Sequence, residues 1–174
     1  MADVRYFFAL QPYPAIAREA SVFAAETQAE NRTGGVIRPV DTLHVTLALV
    51  ARTTGQVPWA LLDSVRRAAR SVHMRAFDVG LDRLEYWRPG DRGLLALTGG
   101  EGVAGVEMLH EALMIALDRS RGTYTPHMSL IWGARETAAR RAPLLRWRAS
   151  NFVLVRSAHG QSRHEIIGRF PLVG

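Results

Sequence analysis

Two short apolar segments of the sequence each carry a histidine followed two residues later by a hydroxyl side chain. The first contains His44 and Thr46, and the second contains His127 and Ser129. Because strand side chains alternate between two faces, the imidazole and the hydroxyl of each segment share a face, and the apolar residue between them points the other way. We therefore expect two strands that bury one face and present a polar site on the other.

Two imidazoles that face one cleft suit the cleavage of a phosphodiester. With reference pKa values near 6.5, one ring can accept a proton at neutral pH while the other donates one. The hydroxyls of Thr46 and Ser129 would bind the non-bridging phosphate oxygens. Two histidines are too few ligands for a catalytic metal, so we expect no cofactor. The alternative is that each histidine is structural and bonds to a backbone carbonyl.

The composition limits the class of protein further. The chain has 174 residues, of which 48% are hydrophobic, so we expect one domain spanning residues 1–174. It has no cysteine, which excludes thiolate nucleophiles and disulfides. It also lacks a long apolar run and a signal-peptide pattern, so we expect a cytoplasmic monomer with no membrane segment. The net charge of +6, with arginine as the basic residue throughout, favours an anionic partner such as nucleic acid.

Hydrophobic periodicity and turn residues divide the chain into strands and helices. Strands are predicted at 4–10, 36–40, 42–50, 77–87, 94–98, 125–131, 151–157 and 165–172, the last two joined across 159–162. Helices are predicted at 15–29, 58–72 and 103–119, and a loop with short helical pieces at 133–148. His73 and His110 are predicted on helix surfaces. This order predicts an α+β fold of two similar lobes, each an antiparallel sheet with helices on the outside, facing across a central cleft.

Several segments together resemble one known family. They are the two histidine motifs, the opening segment 5–10, the segment 82–87 and the tail segments 152–157 and 165–172. In this order they are similar to the 2H phosphoesterase superfamily, and within it to the bacterial RNA 2′,3′-cyclic phosphodiesterases, long called 2′-5′ RNA ligases. The resemblance covers nearly the whole chain.

The resemblance implies an activity and roles for the matching residues. The activity is hydrolysis of a terminal 2′,3′-cyclic phosphate on RNA or a nucleotide to a 2′-phosphomonoester, with weak reversal as 2′-5′ ligation. His44 would correspond to the proton donor and His127 to the acceptor, with Thr46 and Ser129 binding phosphate. The residues themselves leave open which histidine is the acid and which is the base.

The sequence departs from the family pattern at two positions of the second motif. Ser129 stands where threonine is usual, which keeps the hydroxyl. Trp132 stands five residues after His127, where many relatives carry arginine. Either another arginine supplies that charge, or the affinity for substrate differs. The candidates for that arginine are Arg5, Arg83 and Arg156, and the candidates for aromatic residues lining the cleft are Tyr86, Tyr124 and Trp132, which could stack on a base or simply pack.

Two other functions remain open at this stage. The first is a non-catalytic module that binds RNA or nucleotides, which the Trp132 departure favours. The second is a 2H phosphodiesterase acting on a small cyclic phosphate metabolite. Salt-dependent binding without hydrolysis would indicate the first, and a comparison of mononucleotide and oligomer turnover would separate the second from an RNA-end enzyme.

Overall fold

The computed structural model describes residues 3–158 and 164–173, and the predicted connection 159–162 lies outside them. Single turns of 3-10 helix lie at Val40–Thr42 and Glu101–Val103. In chain order the elements are β1 (Val4–Leu10), α1 (Pro14–Asn31), β2 (Val36–Ile37), β3 (Val45–Thr53), α2 (Trp59–Arg70), β4 (Phe77–Trp87), β5 (Leu94–Thr98), α3 (Ala104–Ala116), β6 (His127–Trp132), β7 (Arg140–Ala149), β8 (Asn151–Ala158) and β9 (Glu165–Pro171).

The strands form a large antiparallel sheet, which confirms the predicted α+β class. Their order is β7-β4-β5-β6-β3-β1-β8-β9, and β2 pairs with β6 beside β3. Four strands from the middle of the chain therefore lie on one side, and four from its two ends lie on the other. The two groups are joined where Val45 of β3 pairs with Met128 of β6.

One face of the sheet is covered by the three helices. Apolar residues of α1, α2 and α3, such as Phe23, Val65 and Leu109, share a core with strand residues including Val45 and Met128. A separate small cluster of Phe7, Ala9, Val153 and Val155 lies on β1 and β8. In β1 these residues alternate with the core residues Phe8 and Leu10, so the small cluster marks the face that the helices leave open.

The segment predicted as a loop at 133–148 contains a strand instead. β7 pairs with β4 over most of its length, and its Leu145, Trp147 and Ala149 are buried while the arginines between them are exposed. This period of two was masked by the many arginines and by Pro143. The proline is tolerated because β7 is an edge strand, and the backbone on its outer side does not pair with another strand of the sheet.

Beyond Val45, the described strand pairing of β3 is with β1. Side chains from α3 and from the segment that follows it bond to the backbone of β3 there. The Tyr124 hydroxyl donates to the carbonyl of Thr46 (2.8 Å), and His110 Nδ1 donates to that of Leu47 (2.6 Å). The two rings also stack, with centroids 3.8 Å apart. Arg119 donates to the carbonyls of residues 49 and 50. His110, predicted on a helix surface, is instead part of this support for the first histidine strand.

The turn that follows β6 lies against two glycines. The amide of Gly133 donates to the carbonyl of Gly93 (2.7 Å). A Cβ added to Gly93 would lie 2.0 Å from the Ala134 carbonyl oxygen, and one added to Gly35 would lie 2.6 Å from the Trp132 carbonyl oxygen. These close backbone approaches hold Trp132 and Gly133 in place.

We predict that Gly93→Ala destabilises the fold. The added methyl would meet backbone rather than a flexible side chain, so we expect the free energy of unfolding to fall by about 3 kcal/mol. Gly122→Ala is the matched control, since a Cβ there meets open space and should change stability by less than about 0.5 kcal/mol. Chemical denaturation of both variants measures the difference, and equal stability would contradict the close approach.

Candidate active site

The pairing of Val45 with Met128 brings the two histidine motifs together. Each of these residues is the middle one of its motif, and both are buried in the helix-side core. Extending the antiparallel register by one residue puts His44 opposite Ser129 and Thr46 opposite His127. The two histidines then lie on a diagonal, where residues are separated by about 7–8 Å.

All four motif side chains line one cavity on the open face of the sheet. Its volume is about 950 Å³, near the upper end of the range of roughly 300–1,000 Å³ for small-molecule sites. Residues from several other segments also line the cavity. The basic ones are Arg5, Arg38, Arg92 and His164, and Phe7 and Trp132 are aromatic. The predicted convergence of the two motifs on a single cleft is therefore present in the fold.

His44 is held in one tautomer by its neighbours. Its Nδ1 lies 2.7 Å from the Thr42 carbonyl oxygen, and because a carbonyl only accepts, Nδ1 carries the proton. Burial, and to a lesser extent the nearby cations and imidazoles, lowers the pKa of His44 to about 3. The ring is thus neutral at pH 7, and the Thr46 hydroxyl donates to its bare Nε2 over 3.1 Å.

His127 has the same local arrangement. Its Nδ1 donates to the carbonyl of Thr125 over 2.9 Å, which leaves Nε2 without that proton in the neutral ring. The indole of Trp87 contacts the imidazole edge to face, with centroids 4.6 Å apart, and donates its own N–H to Glu85. The exposed His73 makes a similar bond to the carbonyl two residues before it. The bond therefore reflects the local backbone and does not by itself mark a site.

Of the six arginine and aromatic candidates for the substrate cleft, the structure places two, Arg5 and Trp132, on the cavity. Tyr86, Tyr124 and Arg156 do not line it. Tyr86 and Tyr124 pack against the helix-side core, and the Tyr124 hydroxyl is bonded to β3. Arg156 lies opposite the buried Tyr6 and pairs with Glu165 over 3.0 Å. Strand alternation thus turns Tyr86 and Arg156 toward the helices.

Three basic residues of the cavity, Arg38, Arg92 and His164, were not among the sequence candidates. Arg38 follows β2 and its backbone amide bonds to Leu130 of β6 (2.8 Å), which brings it beside the second motif. His164 precedes β9, and its ring meets that of His44 edge to face at 5.0 Å. The clearest sequence signal for Arg38 was its place in the extended piece before His44. Arg83, a third candidate for the missing charge, does not line the cavity.

Two further properties of the described residues concern metal binding and membrane insertion. Across 3–158 and 164–173, no three histidine or carboxylate side chains are grouped so that they could hold a metal ion. Within the same ranges, no helix combines the length and the apolar character needed to cross a bilayer.

The low histidine pKa values predict a pH-dependent stability. Burial, followed by the charge of Arg38, lowers the pKa of His164 to about 4. In the unfolded chain both His44 and His164 would titrate near 6.5, so below that pH the unfolded state binds protons that the folded state does not. The free energy of unfolding should therefore fall from pH 7 toward pH 4, with His44 contributing about 2 kcal/mol at pH 5 and the more open His164 less.

Denaturation midpoints measured at pH 7.5 and pH 5 check this dependence. His44→Asn keeps a donor near the Nδ1 position without a titrating ring, so the drop between the two pH values should shrink. His73→Asn removes an exposed histidine and serves as the control. A drop that is the same in wild type and in His44→Asn would show that His44 does not carry the effect.

Comparisons with known proteins identify the family and the fold. A model of the 2′-5′ RNA ligase superfamily matches residues 12–161. The fold is similar to that of Escherichia coli LigT in its apo form, with a TM-score of 0.81 and 22% identity over 100% of both chains. It is also similar to LigT complexed with 3′-AMP (TM-score 0.79, 21% identity, 99% of both chains).

A further similar structure is that of TT0787 from Thermus thermophilus (TM-score 0.69, 20% identity, 98% of both chains). No curated protein matches the sequence significantly. At these identities the solved structures establish the fold, while the family model covers most of the chain. The protein belongs to the 2′-5′ RNA ligase superfamily of 2H phosphoesterases.

Proposed function

We propose that this protein hydrolyses the 2′,3′-cyclic phosphate at an RNA end to a 2′-phosphomonoester, without a metal. The observation that carries the proposal is the placement of two imidazoles and two hydroxyls on one cavity by a single strand pair. The LigT structures solved with phosphate and with 3′-AMP support a phosphate-bearing nucleotide as the ligand class. The proposal includes a monomer of one domain, residues 1–174, acting in the cytoplasm.

The reaction follows from the geometry of the four motif residues. The cyclic phosphate sits between His44 and His127, and the hydroxyls of Thr46 and Ser129 donate to its non-bridging oxygens. One imidazole takes a proton from water as the water oxygen bonds to phosphorus. The other gives a proton to O3′ as the phosphorus–O3′ bond breaks, which leaves a 2′-phosphate and a 3′-hydroxyl. A ribose 5′-hydroxyl in place of water gives the weak 2′-5′ ligation.

Phosphate binding would change the hydrogen bonds of His44. The Thr46 hydroxyl donates to His44 Nε2, and it must turn toward the phosphate for that nitrogen to serve as a proton carrier. The anion also favours the protonated imidazole, because it opposes the burial and cationic neighbours that lower the pKa of His44. The proton-donor role implied for His44 therefore depends on the charge that the substrate brings.

Replacing either histidine should remove most of the activity. With a nucleoside 2′,3′-cyclic phosphate in excess EDTA, we expect wild-type turnover, and a loss in kcat of about 10²–10⁴-fold for His44→Ala and for His127→Ala. His73→Ala, at an exposed position, should match wild type. Unchanged activity in both cavity variants would refute the site, and a requirement for added metal would refute metal independence.

The acid and the base can be separated with a substrate whose leaving group departs without a proton. A nitrophenyl phosphodiester needs a base to activate water but no acid. The variant lacking the acid should therefore lose much less activity on it than on the cyclic phosphate, while the variant lacking the base should lose similar activity on both. If His44 is the donor, His44→Ala recovers on the nitrophenyl substrate. Recovery of His127→Ala instead would reverse the assignment.

One observation favours the non-catalytic alternative, which is the presence of Trp132 on the cavity where many relatives have arginine. Under that alternative the cavity binds RNA or a nucleotide and turns nothing over. Tight, salt-dependent binding of cyclic phosphates with no hydrolysis would support it.

A further inference from the structure

The cavity extends well beyond the four motif side chains, and the part next to His44 is rich in basic groups. Arg5 comes from β1, Arg38 from the segment after β2, and His164 from the residue before β9. Three distant parts of the chain thus supply cationic or proton-carrying side chains to the same side of the cavity. Asp3 is the one carboxylate among the described lining residues, and it pairs with Arg52 over 2.7 Å and with Arg5 over 3.8 Å. Arg38 and His164 are therefore the main groups of this part of the cavity, and Arg5 adds to them.

These three groups are close enough for their charges to act on one another. Burial lowers the pKa of Arg38, and the nearby charge of Arg5 lowers it further. His164 in turn feels the charge of Arg38. Arg5 and Arg38 carry like charges that repel each other in a partly enclosed space. An anion placed beside Arg5, Arg38 and His164 would attract both guanidinium groups and would favour protonation of His164.

The group lies directly beside the proposed catalytic histidine. The His164 ring contacts both His44 (5.0 Å between centroids) and Phe7 (5.5 Å), and Phe7 contacts His44 (4.9 Å). Phe7 is buried, so this three-ring cluster holds His164 at a set position next to His44. An anion bound by Arg38 and His164 would therefore be a neighbour of the phosphate that lies between His44 and His127 in the proposed reaction.

We propose that Arg38 and His164, with Arg5, form a second anion subsite that binds the phosphodiester preceding the terminal nucleotide of an RNA end. The proposal rests on the proposed function for the identity of the first phosphate. It makes the preferred substrate an oligonucleotide, because a mononucleotide has no second phosphate to place there. It also gives this chain a source of phosphate-binding charge other than the position that Trp132 occupies.

A pair of substrates tests the subsite by turnover. Wild type should show a higher kcat/KM on a dinucleotide ending in a 2′,3′-cyclic phosphate than on the corresponding mononucleotide, by about tenfold or more. Arg38→Gln should remove most of that preference, because it loses a much larger factor in kcat/KM on the dinucleotide than on the mononucleotide, and Arg38→Lys should keep part of it. His164→Gln should reduce the preference by a smaller factor. Arg70→Gln, an exposed arginine of α2, is the charge-matched control.

Binding measurements test the subsite without any turnover. Wild type should bind a dinucleotide with a terminal 2′-phosphate more tightly than the mononucleotide 2′-phosphate by calorimetry. Arg38→Gln should abolish the difference and reduce the slope of log affinity against log salt by about one for the dinucleotide. This result would support the subsite even if the protein hydrolysed no cyclic phosphate. The subsite and the proposed hydrolysis can therefore be refuted independently of each other.

Two outcomes would overturn the subsite. One is a wild type with no preference for the dinucleotide in either assay. The other is an Arg38→Gln variant that loses the same factor on both ligands, which would assign Arg38 to the hydrolysed phosphate instead. Thermal unfolding of each variant confirms that the comparison is made between folded proteins.

Discussion

The candidate site depends on one antiparallel residue pair, Val45 of β3 with Met128 of β6. Both side chains are buried among the helices, so a shift of one residue in either strand would put an imidazole into the core and a valine or methionine into the cavity. The hydrophobic effect that buries this pair is therefore the same force that aims His44 and His127 at one cavity. Because the two strands come from distant parts of the chain, the pair also joins the two groups of strands.

Beyond that pair, β3 and β6 no longer bond to each other, so backbone carbonyls of β3 need other hydrogen-bond partners. Side chains provide these partners. Backbone carbonyls need partners when they are shielded from water, and those of β3 find them in Tyr124, His110 and Arg119. This explains why Tyr124, which looked like a cleft residue in the sequence, has a supporting role behind the cleft. These bonds hold β3 from the helix side, and the cavity lies on the other face of the sheet.

Several residues together make the cavity electrostatically favourable for an anion. Burial lowers the pKa of His44 and of His164, and the charge of Arg38 acts in the same direction. In the proposed reaction a bound phosphate opposes both effects, so its arrival favours protonation of the imidazoles beside it. In that reaction, protonation and substrate binding are linked. The basic groups next to His44 also supply positive charge to the cavity, which Trp132 does not supply at the position where many relatives carry arginine.

The sequence by itself determined the elements whose pattern is local. Alternation and turn residues located β1, β4 and β5, and helical spacing located the three helices to within a few residues. The twin motifs predicted His44, Thr46, His127 and Ser129 as site residues from residue type and spacing, and all four line one cavity. Only the tertiary structure decided what depends on pairing between distant segments. It revealed β7, whose alternation was masked by arginines and Pro143, and it turned Tyr86 and Arg156 toward the helices. It also brought Arg38 and His164 to the cavity, because their neighbours there belong to strands far away in the sequence.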